Sequence, residues 1–352
     1  MVGLDLLRSL AIIFVIISHS KVFFTPYYPI LNDLSLFGYY GVEMFFVLSG
    51  FLIGGILIQN LEKNISIKTF LLKRWFRTMP NYYLFLLLNF LVYTYFFHYP
   101  TGGFNYIIFG QNFSSSLELY FFPESWSLTV EEWFYIFISI LLYSMTYFFK
   151  NLKKSILLLI LFIILSNTLF RAYTVYITNL SWDSDVRKVV IFRFDSLLYG
   201  VFAAYLYYFY REVWFRYKYL SLSIALFLTL LNIYFFISFY PETINNSYFM
   251  KTYYFTITSL SIMFFLPYLT TLCWSNTYPI FTKIVTFISL ISYSLYLSHF
   301  LLKDIFFKLV HINQIQIAIL TWFTWIISSI IISSIIYKYY EKPLTNSRNK
   351  FL

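Results

Sequence analysis

Long apolar runs, broken by short polar connections, set the pattern of this chain. A segment of about 20 mostly apolar residues is needed to cross the hydrocarbon core of a bilayer. Runs that qualify lie near 4–24, 37–60, 80–97, 126–149, 155–173, 190–210, 219–239, 252–273, 284–309 and 316–338. In lipid, a single apolar segment can satisfy its own backbone hydrogen bonds only as a helix. The pattern therefore predicts an all-α fold, a polytopic membrane helix bundle with about ten transmembrane helices. No connection is long enough for a separate soluble domain. The longest, roughly 98–125, is itself aromatic and is able to dip into the membrane. The reading is one transmembrane domain over 1–340 and a short cytoplasmic tail over 341–352. The first run carries Arg8 and His19 and has no small-residue cleavage site behind it, so it is a span and not a signal peptide.

Composition agrees. Hydrophobic residues make up 60% of the 352 positions and charged residues only 11%, against about 25% charged in a typical soluble domain. Mean hydropathy is +0.71. A water-facing surface cannot be built from so few charges. The 25% aromatic content suits a chain lying between hydrocarbon and headgroups. The net charge of +10 is dispersed between apolar runs, which excludes a nucleic-acid module and points to anionic membrane lipids as partner. Cys273 is the lone cysteine, so there is no internal disulfide framework.

Lys and Arg are unevenly divided between alternate connections. Seventeen fall on one set of sides, including Lys63, Lys68, Lys73, Arg74 and Arg77, then Lys150, Lys153 and Lys154, and at the end Lys338, Lys342, Arg348 and Lys350. Only Lys21, Arg171, Arg187, Lys188 and Lys251 fall on the other. By the positive-inside rule both termini are cytoplasmic.

A charge within a span costs about 2.5–3.5 kcal/mol on insertion scales, so each one needs a reason. Toward the outer ends the sequence places His19, Glu43, Glu131, Glu132, Arg193 and Asp195; toward the inner ends it places Asp5, Arg8, Arg74, Arg77 and Glu341. Arg8 and His19 are eleven residues apart, about 20° out of register and roughly 16 Å along a helix. They share one face of the first span, like two stations on a path through the protein. Among the polar residues no His/Cys/Asp/Glu set has metal-ligand spacing, so no metal site is expected.

Several segments then carry a resemblance. LDLLRSLAIIFVIISH (Leu4 to His19), GVEMFFVLSGFLIGGIL (Gly41 to Leu57), KRWFRTMP (Lys73 to Pro80), WSLTVEEWFY (Trp126 to Tyr135), RFDSLLYG (Arg193 to Gly200), SYSLYLSH (Ser292 to His299) and YYEKP (Tyr339 to Pro343) follow in this order. Together they resemble the membrane-bound acyltransferase 3 family along the whole chain, with Leu6 standing where the family's opening usually has glycine. The resemblance implies transfer of an acyl group, commonly acetyl from acetyl-CoA, to a hydroxyl of a cell-envelope glycan or a lipid-linked sugar. It implies a bacterial cytoplasmic membrane as the location.

The residues fit that chemistry. A CoA thioester is polyanionic, and Arg74 and Arg77, at i and i+3, lie on one side of a helix where guanidinium groups suit phosphate; Arg8 extends the patch. A sugar hydroxyl needs a base, and His19 is the candidate. A carboxylate on its other ring nitrogen would orient it, Glu43 by first choice and Glu131 by second. Arg193 is the guess for an oxyanion stabiliser, and a covalent acyl-enzyme on a Tyr or Ser stays open. Two other classes compete: a carrier or flippase for a lipid-linked glycan, for which an internal repeat would speak and none is seen, and a membrane scaffold.

Overall fold

The computed structural model describes residues 1–117, 121–149, 151–273 and 277–348. Lys150 and Lys350, both counted toward the cytoplasmic side, and the end of the tail over 349–352 lie outside the described residues. Among the described residues the regular structure is entirely helical. The principal helices are α1 (Val2–Phe24), α2 (Ser35–Glu62), α3 (Ile67–Leu91), α4 (Ser125–Phe149), α5 (Leu152–Ile177), α6 (Phe194–Phe209), α7 (Lys218–Phe239), α8 (Tyr254–Leu269), α9 (Pro279–Leu309) and α10 (Ile315–Ile336).

Among the described residues, seven helices are long and apolar enough to cross a membrane: α1, α2, α4, α5, α7, α9 and α10. The other three runs of the sequence are helical but differ from that pattern. Both α6 and α8 have 16 residues, about 24 Å of rise against a core of about 30 Å. In α3, Arg74, Arg77, Asn81 and Asn89 interrupt the apolar residues. This helix starts at a cap, where the Ser66 side chain accepts a hydrogen bond from the Thr69 amide at 3.2 Å, and runs on as a π-helical turn over Val92–Phe97.

Two close crossings fix the centre of the bundle. A β-carbon on Gly50 of α2 would lie 1.9 Å from the Leu197 carbonyl oxygen, and one on Gly200 of α6 would lie 2.0 Å from the Val47 carbonyl oxygen. Only residues without a side chain permit that approach, the usual device where hydrocarbon supplies no hydrophobic drive between helices. Large apolar side chains such as Phe162, Leu165, Phe227, Leu230, Leu320 and Phe323 point outward from α5, α7 and α10. In water that surface would aggregate; in a bilayer it is the lipid face.

The connection between α3 and α4 folds into the protein. Tyr106, Phe109, Phe121, Phe122, Gln111 and Asn112 are buried. Its backbone is satisfied from the helices: Tyr82 donates to the Tyr106 carbonyl at 2.7 Å and Trp133 to the Phe109 carbonyl at 2.7 Å. The irregular stretch before α6 is held the same way, since Asn112 donates to the Lys188 carbonyl at 2.6 Å and Asn167 to the Ile191 carbonyl at 2.7 Å. Non-helical backbone at this depth survives where protein groups replace water. At the other end α10 continues through Tyr337–Glu341 into a short helix, Lys342–Ser347. Glu341, the first residue of the expected tail, turns back into the bundle.

Candidate active site

Two of the cavities among the described residues hold the charged and histidine groups, and α1 lines both. The first, about 540 Å³, has His19 in its wall, with Lys21, Tyr39, Glu124, Trp126, Trp182, Asp183, Arg187, Lys188 and Tyr296 among its neighbours. The second, about 190 Å³, is lined by Arg8, Arg74, Arg77, Ser49, Glu131, Glu132, Tyr293 and Glu341. Val42 and Tyr296 belong to both walls. The eleven-residue spacing of Arg8 and His19 therefore puts each in its own chamber, with one residue of α2 and one of α9 between them.

The arginine cavity gathers what the sequence placed near one membrane face, plus two carboxylates it placed near the other. Arg74 donates to Glu131 at 3.4 Å and also to the Tyr135 hydroxyl, which in turn donates to Glu131. Its guanidinium carbon lies 4.2 Å from the centre of the Tyr135 ring. Arg74 is thus held by one carboxylate and one ring, while its Nε has no partner among the described residues. Glu341 accepts from Asn81 at 2.7 Å and from Ser294 at 2.6 Å. Glu131 and Glu132, expected toward the outer ends, sit here because they lie two turns into α4, level with Arg74.

The charges expected to meet near His19 separate instead into distinct sets. Glu43 is fully buried and accepts a hydrogen bond from Arg193, itself fully buried. Arg193 also donates to Ser196 at 2.9 Å. Next to this pair, Arg171 grips Asp195 through two bonds of 3.0 and 2.7 Å. These two ion pairs tie α2, α5 and α6 together. Neither Glu43 nor Arg193 lines either of these two cavities, so Glu43 does not hold the His19 ring and Arg193 faces neither chamber. Glu131, the second choice for the ring, is committed to Arg74. The reason is azimuth: Val42 faces the chambers, and one residue on, about 100° round the helix, Glu43 faces α6.

What holds His19 is His299. The His19 Nδ1 lies 2.7 Å from the His299 Nε2, with ring planes 16° apart and centroids separated by 4.9 Å, the arrangement of two imidazoles meeting edge to edge. The His299 Nδ1 is 3.1 Å from the Leu295 carbonyl. A carbonyl only accepts, so the His299 hydrogen is on Nδ1 and its Nε2 carries a lone pair. The His19 Nδ1 must then be the donor, and the His19 Nε2 is left unprotonated. A histidine chain fixes the tautomer that a base requires, the task expected of a carboxylate. His299 is fully buried, and Trp325 donates to its carbonyl at 2.8 Å. The Phe300 ring packs edge-on to His19 at 5.3 Å.

Sequence reasoning missed His299, Tyr296 and Glu124 as site residues. Two of them stand in SYSLYLSH, at i and i+3 on one face of α9, and that spacing was the available signal. Tyr296 spans the partition: its hydroxyl is 2.7 Å from the Ser127 hydroxyl and donates to the Glu124 carbonyl at 3.2 Å. On the far wall of the His19 cavity Asp183 accepts from Arg187 at 2.6 Å and from Lys188. Burial alone would push its carboxyl up, but these two cations hold it down at about 2. Among the described residues no three His, Cys, Asp or Glu side chains are grouped to hold a metal ion.

No solved structure matches the chain. A protein of Acidianus two-tailed virus that bears the name acetyltransferase ORF330 is 37% identical over 111 residues, which is 31% of this chain and 32% of that protein. The peptidoglycan O-acetyltransferase OatA of Listeria monocytogenes is 36% identical over 98 residues, 27% of this chain and 14% of the relative. The chain thus spans less than a third of the length of either relative. A family model described as an acyltransferase domain matches residues 1–338, a span that holds six of the seven ordered motifs, and the chain belongs to the acyltransferase 3 family.

Proposed function

We propose that this protein is a membrane O-acyltransferase that moves an acyl group, acetyl in the simplest case, from cytoplasmic acyl-CoA to a hydroxyl of a cell-envelope glycan on the far side. The observation that supports it most is the pair of chambers sharing Val42 and Tyr296, one with three arginines and one with a histidine of fixed tautomer. The acceptor class draws on the relative named for peptidoglycan.

In this reading Arg8, Arg74 and Arg77 hold the donor's phosphates, and the thioester reaches past Tyr296. The His19 Nε2 takes the proton of the acceptor hydroxyl as its oxygen attacks the thioester carbonyl. The C–O bond forms, the tetrahedral intermediate collapses, the C–S bond breaks, and the His19 imidazolium gives its proton to the departing sulfur, so CoA leaves as the thiol. His299 keeps the His19 ring in position and stabilises the imidazolium through the chain to Leu295. Both termini are cytoplasmic and the protein sits in a cytoplasmic membrane.

Purified protein in lipid nanodiscs, given labelled acetyl-CoA and a soluble glycan, tests this. Free CoA should be released in step with label on the glycan, and His19→Ala should lower the rate by about 10²–10⁴-fold, the usual value of a general base. A carrier would bind or move the glycan without releasing CoA. Full activity in His19→Ala would refute the assignment.

A further inference from the structure

Glu124 lies at the mouth of α4, is only 4% exposed, and lines the His19 cavity. Among the described residues neither of its carboxylate oxygens has a hydrogen-bond partner. Buried polar groups are almost always paired, and an unpaired carboxylate is among the most unfavourable of them. The nearby cation does not relieve it, because Lys303 is bound to Asp304 at 3.2 Å. Nor is Glu124 loosely placed: its carbonyl accepts from Tyr296 at 3.2 Å and from Ser127 at 3.5 Å. The backbone is pinned while the side chain is left with two open acceptors facing the cavity. Arg187 adds a complementary vacancy, since its Nε is buried and unpartnered among the described residues. The cavity, at about 540 Å³, falls within the ordinary range of ligand sites, and the rings of Trp126 and Trp182 line it.

We infer that Glu124 is the positioning residue for the acceptor, its carboxylate taking hydrogen bonds from donor groups of the sugar whose hydroxyl meets His19. This rests on the acyltransferase reading above. A carboxylate only accepts, so the group opposite must donate. Hydroxyl and acetamido N–H groups of an amino-sugar chain do so, and a phosphate or carboxylate on the same edge is repelled. Glu124 thus selects for a neutral, donor-rich edge and sets which hydroxyl reaches the base.

Chitotriose, a soluble chain of N-acetyl amino sugars, is the probe. Its Kd is measured by equilibrium dialysis on wild type, Glu124→Gln and Glu124→Ala in nanodiscs, alongside the KM for chitotriose and for acetyl-CoA. Loss of hydrogen bonds to a charged group is worth about tenfold or more in affinity. Glu124→Ala should weaken chitotriose Kd and KM by that factor, Glu124→Gln by less, because it keeps one acceptor. The KM for acetyl-CoA should be unchanged, and both variants should elute like wild type and melt at or above its temperature, since the unpaired carboxylate is gone. An acceptor Kd within twofold of wild type overturns the assignment, as does a parallel rise in the acetyl-CoA KM or failure of the wild type to bind chitotriose. If the wild type binds chitotriose, Glu124→Ala weakens it, and neither turns over acetyl-CoA, the acyltransferase reading fails while the Glu124 site stands.

Discussion

His299→Ala removes the hydrogen-bond partner that the His19 Nδ1 has among the described residues, and the structure sets the size of the effect. The bond lost is the 2.7 Å contact to the His299 Nε2. A buried donor left without its acceptor costs about 1–3 kcal/mol, and each 1.36 kcal/mol is tenfold in rate. The free ring can also place its hydrogen on Nε2, the nitrogen that must be empty. Together these predict a fall in kcat of about 5- to 150-fold, with little change in the KM for acetyl-CoA because the arginine cavity does not include His299. His299→Gln should recover part of the loss, since its amide oxygen can accept from Nδ1–H. The assay is CoA release at saturating donor, with melting temperature recorded for each variant. A kcat for His299→Ala within twofold of wild type would refute the histidine chain, and so would a loss that follows unfolding and is not recovered by glutamine.

Other consequences are as direct. Glu43→Ala leaves Arg193 buried without its carboxylate, which costs about 3–5 kcal/mol; it should cut the yield of folded protein and the melting temperature, where a purely catalytic role would leave both unchanged. Gly200→Ala drives a β-carbon to 2.0 Å from the Val47 carbonyl oxygen, so α2 and α6 must part, at about 1–3 kcal/mol or more, read as a lower melting temperature in detergent. Arg74→Ala and Arg77→Ala should raise the KM for acetyl-CoA at least several-fold with normal topology; an unchanged KM would leave them as membrane anchors. Once the exposed Cys273 is replaced by serine, Lys63→Cys should be shielded from an impermeant maleimide in intact cells and Ser115→Cys labelled, and the reverse would invert the orientation.

How far the sequence carried the reading depends on the range of each interaction. Helical runs are local and were legible, down to the shared face of Arg8 and His19. Span counting was harder because it relies on length and apolarity, and α6 and α8 stop at 16 residues where their flanking turns are held by side chains such as Asn112 and Arg171. Depth could be judged from sequence for Arg8 and His19 but not for Glu131 and Glu132, and direction around a helix in contact with a distant partner could not be judged at all. Glu43 stands at a suitable level and faces α6 instead of α1. The partner of His19 is 280 positions away, beyond any periodicity. Glu124 comes from the connection before α4, whose inward fold depends on hydrogen bonds to α3 and α4.

The central claim, donor on the arginine side and acceptor on the histidine side, is tested most directly with oriented membrane vesicles. Inverted vesicles carrying the protein are loaded with chitotriose and given labelled acetyl-CoA outside, on the cytoplasmic face. The account predicts label on the enclosed sugar, absent in His19→Ala and reduced in Arg74→Ala. Label formed only when sugar and acetyl-CoA share one face would contradict it.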